Sequence, residues 1–66
     1  MTELEKARRA KGWTQDELSA RSGVSRPRIG QIEKGSEPGV TIAHMLSDAL
    51  KVPTRRLWPI PASKRA

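Results

Sequence analysis

Sixty-six residues with no cysteine, one histidine, and 13 lysines and arginines against seven aspartates and glutamates describe one small basic domain of net charge +6. A chain this short buries only about 60 % of its unfolded surface, which allows a small core but no large concave active site; without cysteine there is no disulfide framework or thiolate metal site, and one histidine does not make a zinc or two-metal constellation. The longest apolar runs fall far short of the ~20 residues that span a bilayer, and the first residues lack the basic-then-apolar pattern of a secretory leader, so the chain is expected in the cytoplasm, with no cofactor and no metal.

Residues 2–11 predict a first helix. Thr2 stands three residues before Glu5, the spacing of a reciprocal capping box, Leu4, Ala7 and Ala10 follow at helical intervals, and Gly12 stops the run. A second helix of about two turns opens on Thr14 and Glu17 in the same relation, carries Leu18 and Ala20, and ends at Gly23, the natural residue for a left-handed C-terminal position. The third begins with Ser25 as N-cap and tolerates Pro27 because the first turn has no internal N–H bond to lose. It sets Ile29 and Ile32 three apart and stops before Gly35. After a loop over residues 35–39, residues 41–50 carry Ile42, Met45, Leu46, Ala49 and Leu50, the stripe of a fourth helix buried on one face. Pro53 ends it, and Thr54 is expected to cap a last short turn through Trp58. The pattern predicts an all-α fold, a compact bundle of about five short helices spanning residues 1–60, with a frayed tail over residues 61–66.

The charge is uneven. Residues 1–24 hold five basic and four acidic residues, residues 25–66 eight basic and three acidic, so a surface facing a polyanion is expected to draw mainly on the second part. Between the second and third helices the residue types are sterically constrained. Two helices joined by a three- or four-residue turn at about 90 to 120° touch near Ser19, where a large side chain would push them apart; Gly23 makes the turn, and Leu18, Val24, Ile29 and Ile32 seal the angle. This is the pattern of a DNA-binding helix-turn-helix.

At the level of whole phrases the sequence resembles the phage repressor and Cro-type helix-turn-helix domains, found also in many bacterial transcriptional regulators. The matching phrases are Gly12-Trp13-Thr14-Gln15-Asp16-Glu17-Leu18, Gly23-Val24-Ser25, Ile29-Gly30-Gln31-Ile32-Glu33-Lys34-Gly35 and Ala49-Leu50-Lys51-Val52, and the likeness covers about residues 4–58. The resemblance implies a lambda-repressor-like domain that binds double-stranded DNA with the helix near residues 26–34 in the major groove, the docking geometry being that of the phage relatives. It implies that Gln15 hydrogen-bonds a backbone phosphate, that Ser25, Arg26, Pro27, Arg28 and Gln31 meet base edges or nearby phosphates, and that Lys34 contacts a phosphate. In that setting Arg26 and Arg28 suit guanine, and Gln31 suits adenine or braces a neighbour. The family often has polar residues where Pro27 stands; a proline reads no base by hydrogen bonding but packs on a thymine methyl. Arg8 and Glu33 match a pair that ties the first helix to the third.

Other readings stay open on sequence alone. The same fold serves protein-interaction modules, antitoxin-like or anti-repressor, in which DNA binding is weak or secondary; the concentration of Arg26, Arg28, Gln31 and Lys34 with Gln15 favours DNA. Ser47, His44 and Asp48 share one short helix with no supporting constellation, so enzymatic activity is not expected, and His44 reads as a surface residue. Only two tryptophans and no Phe or Tyr speak against stacking unpaired RNA bases. Arg55, Arg56, Lys64 and Arg65 suit DNA, solvent or a second subunit alike. Leu57, Trp58 and Ile60 suit local core closure or a dimer contact. A homodimer is expected at least on DNA, and no small-molecule effector.

Overall fold

The computed structural model describes residues 1–59; Ile60 and the expected frayed tail lie outside the described residues. Five helices follow one another, α1 (Glu3–Ala10), α2 (Gln15–Ser22), α3 (Arg26–Glu33), α4 (Val40–Leu50) and α5 (Thr54–Leu57), with no strand among the described residues. The fold is the expected all-α bundle of short helices. α2 packs on α3 and α4, and α1 closes the other side against α3 and α5.

Each helix contributes to one core. Leu4, Leu18, Val24, Ile29, Ile32, Leu46, Leu50 and Leu57 are buried, and Ala7, Trp13, Ile42, Met45, Ala49, Val52 and Trp58 pack around them half-buried. Removing a fully buried leucine such as Leu18 or Leu46 leaves a cavity that costs about 2–5 kcal/mol, a large fraction of the stability of so small a domain.

The helix ends follow local chemistry. Thr14 and Glu17 form the full reciprocal box, the Thr14 hydroxyl accepting from the Glu17 N–H at 3.1 Å and the Glu17 carboxylate from the Thr14 N–H at 3.0 Å. These bonds hold the Glu17 carboxyl below its ordinary value. At α1 only half the box forms: Thr2 accepts from the Glu5 N–H at 3.2 Å, while the Glu5 carboxylate turns to Arg9 at 2.8 Å, four residues on. α4 starts one residue earlier than the stripe suggested, at Val40, behind Gly39. At α5 the N-cap position belongs to Pro53 and not to Thr54, which is already helical and makes no side-chain cap. The Pro53 carbonyl instead accepts from the N–H groups of Arg56 at 2.9 Å and Leu57 at 3.3 Å.

α2 and α4 end in the same way. In each, a left-handed residue follows the helix, Gly23 at φ +83° and Lys51 at φ +58°, and a serine four residues before it donates its hydroxyl to the carbonyl of the next valine. Ser19 Oγ to Val24 O and Ser47 Oγ to Val52 O both measure 2.6 Å. The Ser19 hydroxyl thus fastens the turn between α2 and α3.

Candidate nucleic-acid interface

One buried cluster fixes α3 relative to α1 and α2. Glu33, near the end of α3, accepts Arg8 Nε on Oε2 at 2.7 Å and Arg8 Nη2 on Oε1 at 3.2 Å, a two-pronged pair with both side chains at most 10 % exposed. Arg8 Nη1 donates to the Trp13 carbonyl at 2.8 Å, and Gln15 Nε2 donates to Glu33 Oε1 at 3.0 Å. Burial by itself would raise the Glu33 carboxyl, but the hydrogen bonds from Arg8 and Gln15 and the charges of Arg8 and Arg9 outweigh it and hold the group below its ordinary value. The bond to Glu33 raises the Arg8 guanidinium in turn. Among the described residues no buried side-chain polar atom lacks a partner.

With the inner face of α3 pinned by Ile29, Ile32 and Glu33, the 100° step per residue turns Pro27, Gly30, Gln31 and Lys34 outward, with Arg26 and Arg28 on the two flanks. Ser25 caps the helix, accepting from the Arg28 N–H at 3.3 Å. Arg26 Nε reaches Asp16 Oδ1 at 3.0 Å, joining the starts of α2 and α3 by a pair more than half exposed on both sides, the kind worth at most about 1 kcal/mol and readily exchanged. Arg28 turns back along the helix, Nη1 to Gln31 Oε1 at 3.3 Å and Nη2 to the Glu37 carbonyl at 3.0 Å. Pro27, Gln31 and Lys34 are exposed. Gln15 lies at the start of α2 with its amide donating to Glu33.

The model of the helix-turn-helix family matches residues 4–57. The chain belongs to that family. It is a domain of the phage repressor and Cro type, and the matched stretch begins at Leu4 and ends at Leu57, the first and last buried residues of the core. The family is one of DNA-binding transcription regulators, typically without enzymatic activity. Comparison with curated proteins and with solved structures gave no match.

Three further contacts of this helix-turn-helix go beyond what was expected from its sequence. Trp13 is half-buried under the Arg21 guanidinium, 4.5 Å from the ring centroid, with the Lys11 ammonium at 6.0 Å. Arg26 pairs with Asp16, and Arg28 with the Glu37 carbonyl. All three join different elements, and only the charge complementarity of Asp16 and Arg26 left a trace in the sequence. His44 is exposed on α4. Among the described residues no group of side chains has the makings of a metal site, and no helix is long and apolar enough to cross a membrane.

Proposed function

We propose that this domain is a sequence-specific transcriptional regulator that places α3 in the major groove of duplex DNA. One observation carries the reading: the outward side of α3 gathers Arg26, Arg28, Gln31 and Lys34 on a helix whose inner side is locked by the Arg8–Glu33–Gln15 cluster. A rigid helix of donors suits base edges rich in acceptors and the phosphates beside them. In this reading Arg26, Arg28 and Gln31 meet bases, Ser25 and Pro27 line the approach, and Gln15 and Lys34 hold phosphates.

Two copies bind as a homodimer on paired half-sites, since one domain touches only a few base pairs. Control comes from protein concentration, without a small-molecule effector. A groove of about 250 Å³ between α1 and α5 is lined by Glu3, Lys6, Ala7, Val52, Arg56 and Leu57. The regulator works in the cytoplasm by occluding a promoter or recruiting to it.

A fluorescence titration of random and selected duplexes at a series of salt concentrations tests this. With about three or four phosphates neutralised per subunit, log affinity for the selected duplex falls against log salt with a slope of about −5 to −7. Equal affinity for both duplexes, or none for either, contradicts the reading and favours a protein-interaction module.

A further inference from the structure

We infer that Arg28 and Gln31 act as one unit that reads a single guanine in each half-site. The inference rests on the placement of α3 proposed above and adds the identity of the base. Among the polar side chains on the outward side and flanks of α3, Arg26, Arg28 and Lys34 only donate hydrogen bonds; Glu33, the one carboxylate of the helix, is buried against Arg8. The N-cap Ser25 hydroxyl already accepts from the Arg28 N–H, so within the helix itself the single outward acceptor is Gln31 Oε1, and Arg28 Nη1 donates to it at 3.3 Å.

A glutamine reads adenine by donating to N7 while its oxygen accepts from the N6 amino group. Gln31 Oε1 keeps a second lone pair, but the guanidinium beside it repels the partly positive amino hydrogens of adenine. The same charge attracts O6 and N7 of guanine, both acceptors. Arg28 is itself anchored, because Nη2 donates to the Glu37 carbonyl at 3.0 Å, so the guanidinium is held beside Gln31 by the loop between α3 and α4. The free Gln31 amide hydrogens and the remaining Arg28 hydrogens then converge on one base edge. Two independent readers, by contrast, would specify two base pairs.

Selection of bound sites from a randomised duplex pool, run with the wild type, Arg28→Ala, Gln31→Ala, Arg28→Lys and the double alanine variant, tests the coupling. Arg28 and Gln31 lie outside the core, and a melting curve of each variant checks that it remains folded. The wild-type sites are expected to carry guanine at one position per half-site that both single alanine variants relax. At that position the preference for guanine over adenine falls by about 5- to 100-fold in each, and the double variant loses no more than the larger single loss. Arg28→Lys keeps the charge but loses the two-way anchor, so it relaxes the same position while retaining overall affinity. Relaxation of two different positions by Arg28→Ala and Gln31→Ala, or adenine at the shared position, overturns the coupling and leaves the DNA-reading proposal standing. A wild-type pool that stays random contradicts that proposal, and this inference with it.

Discussion

Arg8 and Glu33 are withdrawn from water together, so removing one is unlike removing both. Arg8→Ala leaves the Glu33 carboxylate with Gln15 as its remaining side-chain partner and costs about 3–5 kcal/mol; Glu33→Ala costs less, because the guanidinium keeps the Trp13 carbonyl at 2.8 Å and the Glu5 carboxylate at 3.9 Å, and the double variant costs less than the sum. Additive losses in urea melts would show the two to be uncoupled. The pair also gives stability a pH dependence of defined sign. Glu33 is held below its ordinary value of 4.5 in the folded chain, so its contribution is fully present above that pH and is lost as pH falls through the lower, folded value. The stability gap between the wild type and Glu33→Gln is therefore expected to be constant from about pH 7 to about pH 5 and to shrink at lower pH; a gap that stays constant throughout would contradict the cause assigned here. At this scale the sequence showed Arg8 and Glu33 through their match to a family pair. That Gln15 shares the same carboxylate was not legible, because it depends on where α2 starts relative to α3.

The endings of α2 and α4 share the serine and the valine but not the left-handed residue between them, which is strained in only one of the two. Gly23 at φ +83° is conformationally free, and a Cβ there would lie 3.2 Å from Met45 Cε, whereas Lys51 at φ +58° is the only non-glycine residue with positive φ among the described residues. Lys51→Gly is expected to raise stability by up to about 1 kcal/mol, seen as a higher urea midpoint at unchanged slope. An unchanged midpoint would mean that the lysine's charge at the helix C-terminus offsets the strain. In α3, a Cβ added to Gly30 meets nothing within 4 Å, so the fold does not require this glycine. Gly30→Ala should therefore stabilise the helix by about 0.5–1 kcal/mol, yet weaken DNA binding if this side of α3 enters a groove. A variant both more stable and unchanged in affinity would place Gly30 away from the DNA. Helix starts at Thr14 and Ser25 were legible because a cap is decided within four residues. The serine-to-valine carbonyl bonds and the return of Arg28 to the α3–α4 loop were not, since each depends on how the chain turns after its helix.

In the whole molecule, of the eight basic residues of 25–66, Arg26, Arg28 and Lys34 lie along α3, Arg55 and Arg56 are exposed on α5, Lys51 is exposed after α4, and Lys64 and Arg65 lie outside the described residues. Length and charge made a small polyanion-binding domain legible, and the pattern around Gly23 made its family legible. Net charge does not distinguish the basic surfaces, because it carries no direction. Homodimeric binding predicts two subunits per complete site and one per isolated half-site, measurable by native mass spectrometry; one subunit on the complete site would argue against paired reading. Whether α3 with the start of α2 meets the DNA is decided by following the backbone amide resonances of the ¹⁵N-labelled domain as duplex is added. The largest shifts are expected on Gln15, on residues 25–26 and on residues 28–34, with small shifts on α1 and α5. Shifts centred on Arg55, Arg56 and the groove beside Lys6, with residues 25–34 unmoved, would contradict the placement of α3 on DNA.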